Sequence, residues 1–158
     1  VTLYFEWIKN SGGQDKGKER FNFVQTNETM EVTHDSLVEI LKLDVTILSP
    51  MEKVCLDSKI GLKVETGAPS EYSIHSQVSL WRNSTLLTSE TIASTNQLGR
   101  EGKIKTFMNS ISLSWTDVLL APGKYTYTVK AGRMNDEEKN ISTVQVQDRV
   151  LNALVLQP

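Results

Sequence analysis

The chain has 158 residues, 39% hydrophobic and 23% charged, with a net charge of −2, two histidines and one cysteine. That size suffices for one domain with its own hydrophobic core, so no disulfide or metal staple is required. The charge balance excludes a broad nucleic-acid or anionic-membrane surface, no apolar run approaches the ~20 residues of a membrane-spanning helix, and a lone cysteine excludes an internal disulfide.

Residues 1–9 predict a strand, with Val1, Leu3, Phe5 and Trp7 on one side and Thr2, Tyr4 and Glu6 on the other, because strand side chains alternate between faces. Asn10 to Arg20 reads as a loop, since Ser11, Gly12, Gly13 and Gly17 lie among charges with no apolar face to bury. Phe21 and Phe23 restart a strand, and Met30 with Val32 suggests another short one. The segment from Asp35 to Leu43 is ambiguous. Ser36 and Glu39 fit a helix capping box, and Leu37, Ile40 and Leu41 share helical spacing. Leu41, Leu43, Val45 and Ile47 nevertheless alternate with Lys42, Asp44 and Thr46. The favoured reading is a turn or single helical turn over Asp35–Val38, then a strand to Leu48, ended by Ser49 and Pro50.

The clearest element follows. Val54, Leu56, Ile60, Leu62 and Val64 form a dry face, and Lys53, Asp57, Lys59 and Lys63 a wet one. Thr66 to Ser70 closes it. Tyr72, Ile74, Val78 and Leu80 alternate with Glu71, Ser73, His75 and Gln77; Arg82, Asn83 and Ser84 turn the chain, and Leu86 to Ile92 returns. A polar loop from Ala93 to Lys103 precedes a strand through Phe107, Ile111, Leu113 and Trp115. Ala121, Pro122 and Gly123 make a turn before Tyr125, Tyr127 and Val129. A charged loop from Gly132 to Asn140 leads to a short strand at Val144 and Val146, and Val150 to Leu156 is the last. That final stretch is apolar on both parities apart from Asn152, which predicts cover on both sides, deep in the fold or at a subunit contact. About eight to ten short strands with polar turns predict an all-β, antiparallel, jelly-roll-like sandwich, in which two sheets hide their apolar faces against each other. The single domain spans 1–158, with residues 1–35 an N-terminal strand and loop region of unassigned position.

Chemistry is less visible. His34 and His75 lie in different elements, and no paired-Cys, His-x-x-x-His or calcium-loop spacing occurs, so no metal or cofactor is expected. The acidic run Asn135, Asp136, Glu137, Glu138 reads as a solvated hairpin tip. No Gly-x-Ser-x-Gly elbow or phosphate-binding glycine motif is present, and no catalytic residue is expected. Trp7 and Trp115 fall on the apolar parity of their strands and predict core positions, whereas Trp81 breaks parity beside Arg82 and is either an exposed binding aromatic at a turn or a ring packed at an edge. Cys55 falls on the polar face, either covered by a neighbouring element or accessible as an intersubunit thiol. Asn27-Glu-Thr, Asn83-Ser-Thr and Asn140-Ile-Ser match the glycosylation triplet, at a frequency expected by chance in a Ser- and Thr-rich chain. There is no signal-peptide pattern, and the first residue is Val1 rather than Met, as in a processed chain, one lacking its initiator, or a cloned fragment.

Four segments carry a resemblance: Val54-Cys55-Leu56-Asp57 with Ile60-Gly61-Leu62; Val78-Ser79-Leu80-Trp81-Arg82-Asn83-Ser84-Thr85-Leu86-Leu87; Asp117 followed by Ala121-Pro122-Gly123-Lys124-Tyr125-Thr126-Tyr127-Thr128-Val129; and Leu151-Asn152-Ala153-Leu154-Val155-Leu156. Their order and spacing resemble the small jelly-roll proteins of bacterial and phage surfaces related to exosporium protein C of spore-forming bacteria. Asn83-Ser84 departs from the usual Asp-Gly turn, and the first 35 residues have no counterpart. The resemblance implies a structural, oligomer-forming role at a spore, cell or virion surface, and brings no active-site residues.

The leading expectation is therefore a non-enzymatic, extracellular or surface-associated subunit that self-associates or joins a surface layer. Its candidate contact is the strand carrying Val1, Leu3, Tyr4, Phe5 and Trp7, which either adds to a neighbour's sheet edge or pairs within its own sandwich. The alternative is an adhesion or receptor-binding module that recognises glycan or protein through its loops, which exposure of the candidate binding residues Trp81 and Arg82 would favour. A carbohydrate-active enzyme on a sandwich scaffold is a third. Neither nucleic acid nor membrane insertion is expected.

Overall fold

The alternating pattern is realised as ten strands in a computed structural model, which describes residues 1–9, 19–67, 71–97, 104–134 and 137–158. In chain order they are β1 (Thr2–Lys9), β2 (Glu19–Thr26), β3 (Met30–Glu31), β4 (Val38–Ile47), β5 (Glu52–Thr66), β6 (Glu71–Arg82), β7 (Thr85–Gln97), β8 (Thr106–Leu119), β9 (Gly123–Arg133) and β10 (Ile141–Leu156). One sheet runs β1-β2-β10-β5-β8, with β3 also on β10; the other runs β4-β9-β6-β7. Every strand pairing within the sheets is antiparallel. Without β1 and β3, the orders β2-β10-β5-β8 and β4-β9-β6-β7 are those of a jelly roll, two Greek keys folded face to face.

The core lies between the sheets. β5 supplies Val54, Leu56, Ile60, Leu62 and Val64, each 3% exposed or less, and burying one such side chain is worth roughly 1.5–3 kcal/mol. The dry face expected from the sequence is thus the inner face of the central strand. Opposite it stand Leu43, Val45 and Ile47 of β4, Val78 and Leu80 of β6, and Tyr127 and Val129 of β9, all buried.

Three bulges account for the places where the alternation misleads. In β4 the register with β9 slips between Glu39 and Leu41, so Ile40 and Leu41 both point inward. Two adjacent buried residues imitate helical spacing; Asp35 instead takes a left-handed turn conformation (φ 65°), and β4 begins at Val38. In β6 the slip falls between Leu80 and Trp81, which is the parity break noted at Trp81. The third divides β10. Val144 and Val146 face inward, then Arg149, Leu151, Ala153 and Val155 do so, with the shift between Gln147 and Val150 and Asp148 left-handed (φ 46°). The expected short strand and last strand are therefore one bent strand of 16 residues. Gly61 sits opposite the bend, where a Cβ would lie 2.7 Å from the Gln147 carbonyl oxygen, so only glycine lets the two backbones approach this closely.

Other boundaries also move. Glu19 and Arg20 already belong to β2, and residues 10–18 of the expected loop lie outside the described residues. β7 continues past Ile92 to Gln97, because its backbone stays paired with β6 as far as Glu71↔Gln97; backbone pairing on an edge strand does not need an apolar side chain at every second position. Gly132 and Arg133 are the end of β9 and not loop, while 68–70, 98–103 and 135–136 lie outside the described residues. The stretch Val150–Leu156 is covered fully on one side only: Leu151, Ala153 and Val155 are buried, and Val150, Leu154 and Leu156 are half-buried on the outer face.

Candidate functional site

β1 forms the edge of the larger sheet. It pairs antiparallel with β2 from Thr2↔Thr26 to Lys9↔Glu19, and no other described strand pairs with its far flank. Its apolar parity points away from the core. Val24, opposite Tyr4, is buried, whereas Phe21 and Phe23, opposite Trp7 and Phe5, are only half-buried. Leu3, Phe5 and Trp7 thus lie on the outer face beside Phe23 and Phe21. The rings of Phe5 and Phe23 stack at 5.5 Å between centroids, and Phe21 and Phe23 lie 6.0 Å apart. The row continues across β10, where Leu154 is opposite Phe21 and Val150 opposite Gln25. These side chains make a contiguous apolar patch on the sheet's outside.

The inner side of β1 is open too. The smaller sheet ends at β4, so β1 overhangs it, and Tyr4 and Ile8 are 67% and 51% exposed. Tyr4, Glu6, Asn22, Lys42 and Asp44 line an open groove beneath the overhang. Thr126 and Lys124 donate hydrogen bonds to Asp44 and hold its carboxyl below the usual range. The residues expected to form an assembly contact (Val1, Leu3, Tyr4, Phe5 and Trp7) are all exposed on this strand, which at the same time pairs within its own sandwich.

Trp7 is not a core residue: it is 47% exposed, because its parity faces outward. Trp115 is 41% exposed, since β8 is the opposite edge of the same sheet and leaves one flank of the indole uncovered. Trp81 is half-buried, as edge packing requires and an exposed binding aromatic does not. Its Nε1 donates to Ser79 Oγ at 2.8 Å, and the Lys130 ammonium lies 4.5 Å from the ring centroid. Arg82 is likewise engaged internally, donating from Nη1 to Asp117 Oδ1 at 2.7 Å. Asp117 Oδ2 accepts from the Tyr127 hydroxyl at 2.9 Å. Burial, then the Asp117 charge, pushes the Tyr127 phenol far above its ordinary value. Cys55 is free and half-buried on the outer face, between Leu154 of β10 and Thr116 of β8 by register.

The polar staples between the sheets escaped the sequence reading. Arg20 of β2 donates to Glu52 Oε2 at 2.6 Å and to the Thr46 carbonyl of β4; both side chains of the ion pair are nearly fully buried. Glu52 Oε2 also accepts from the Leu48 amide at 3.0 Å. A signal existed, because extending the dry parity of β5 back by one step from Val54 reaches Glu52. Asp117 likewise shares the parity of Leu113 and Leu119. Asn135 and Asp136 of the expected solvated tip lie outside the described residues, and Glu138 departs from it: its side chain is buried, accepts from Arg133 Nε at 3.0 Å and lies 3.6 Å from His34 Nε2. Its neighbour Glu137 is exposed and reaches His75 Nδ1 at 3.0 Å.

The fold and this surface define a jelly-roll sandwich with an aromatic edge strand lying outside the core. No protein-family model matches the chain, and no curated protein does. Solved structures of infectious bursal disease virus are similar in fold. The VP2 protein in derived T=1 particles is 5% identical over 88% of this chain and 36% of that chain, with a TM-score of 0.43. The VP2 subviral particle gives 9% identity, 94% and 41% coverage and a TM-score of 0.34. A chain of the viral particle gives 7%, 87% and 35%, with a TM-score of 0.39. This chain thus spans roughly two-fifths or less of those proteins' length.

Proposed function

We propose that the chain is a non-enzymatic structural subunit that self-associates through β1 and the aromatic face beside it. The observation that carries this reading is the outward row of Leu3, Phe5 and Trp7, about half exposed, on a strand whose far flank pairs with no other described strand. Unpaired backbone groups on an edge strand are a template for another strand, and exposed aromatic side chains supply apolar area to bury there. Placement at a spore, cell or virion surface, and kinship with the exosporium protein C group, belong to the same proposal and are supported by the hairpin order quoted above. The adhesion-module alternative would be favoured by an exposed Trp81, and that ring is half-buried with the Lys130 ammonium over it.

Solution mass over a wide concentration range tests the reading. The expected result is a mass above 17.7 kDa that falls toward monomer on dilution, and that Trp7→Ser lowers at equal concentration. A monomer at every concentration would sink it.

A further inference from the structure

We infer that two copies of the chain pair β1 to β1, antiparallel, about a two-fold axis through Phe5, so that one sheet runs through both. This rests on the reading of β1 as the self-association surface and specifies its partner and register.

A two-fold interface uses the same patch on both copies. In an antiparallel pair, residues directly opposite lie on the same face, so a symmetric register must pair residues of equal parity. Three axes keep most of the strand paired. An axis at Glu6 sets Glu6 against its own copy, and like charges directly opposite are destabilising. An axis at Tyr4 leaves Ile8 and Lys9 without opposites. The axis at Phe5 sets Phe5 against Phe5 and Leu3 against Trp7 on the outer face, with Tyr4 against Glu6 and Thr2 against Ile8 on the other. Between Thr2 and Ile8 no like charges meet, and only at the strand's ends do the Val1 ammonium and Lys9 fall opposite each other. Because Phe23 stacks on Phe5 within each copy, the row across the junction becomes four consecutive phenylalanines.

The competing partner is β8 of another copy, the far edge of the same sheet. The middle of its outer face carries Ser110, Ser112, Ser114 and Thr116, with Met108 and Val118 toward its ends, so the aromatic row would meet hydroxyls along most of it. A β1-to-β8 contact is head-to-tail, and unless its rotation closes a ring it grows open chains.

Cysteine cross-linking in a Cys55→Ser background tests the register. Cα atoms directly opposite in an antiparallel pair lie about 4.5–5.5 Å apart, within disulfide reach. Phe5→Cys is expected to give a covalent dimer on mild oxidation. Leu3→Cys alone and Trp7→Cys alone are expected to stay uncross-linked, whereas a mixture of the two should form the mixed dimer. The mixture retains Phe5, so it reads the register even where Phe5→Cys weakens association. An oligomeric wild-type chain with neither cross-link would overturn the pairing while leaving self-association standing. A wild-type chain monomeric at every concentration would overturn both.

Discussion

Glu52→Gln is expected to destabilise the fold by about 3–5 kcal/mol, the cost of removing one partner from a buried ion pair. The substitution leaves the Arg20 guanidinium, 6% exposed beside the Thr46 carbonyl, without a carboxylate partner. The glutamine carbonyl can still accept from the Leu48 amide, so the loss reports the missing charge. Urea unfolding monitored by tryptophan fluorescence reads the loss as a lower midpoint at unchanged slope. The double variant Arg20→Met with Glu52→Leu is expected to recover most of it, because an apolar pair of similar volume removes the stranded charge. A double variant no more stable than Glu52→Gln would show that the staple acts through its shape and hydrogen bonds and not through its charge.

Arg149→Met is expected to cost about 3 kcal/mol, toward the upper end of what buried groups lose when left without partners. The β10 bulge turns this side chain into the sandwich, where it donates from Nε to the Ile40 carbonyl at 3.0 Å. Its Nη1 donates to the carbonyls of Glu28 at 2.6 Å and Val146 at 3.0 Å. Burial lowers its pKa from the ordinary value. One residue thus ties β4, the β2–β3 turn and the bend of β10 together. Methionine keeps much of the stem's packing but supplies no donor, so the loss isolates the hydrogen bonds. The same unfolding measurement checks it, and a change under 1 kcal/mol would mean that water replaces the guanidinium.

These staples explain where the sequence was and was not legible. Val54–Val64 was clear because it lies centrally, with a partner sheet over one face and solvent over the other, so its alternation reports burial directly. The same parity carried Glu52 inward, and a glutamate there reads as surface until Arg20 is brought to it from 32 residues away. Leu3, Phe5 and Trp7 were legible as one face of a strand. Parity alone separates two faces but does not say which of them the second sheet covers, and here the smaller sheet ends at β4 before reaching β1. Trp115 fails similarly, being inward on a strand at the opposite edge. The bent β10 was divided in two because the bulge at Asp148 inverts the pattern within a continuous strand, and only the pairing of Gly61 with Gln147 shows the two halves to be one.

The central claim, that β1 is where copies meet, is tested most directly by amide hydrogen exchange of the wild-type chain at low and high concentration. Every second amide of an edge strand points away from its partner and exchanges with water. Residues Leu3 to Ile8 are expected to gain protection as concentration rises, while the polar edge strand β7 does not change. Exchange in β1 that is identical at all concentrations, in a sample whose mass does increase, would place the contact elsewhere and contradict the account.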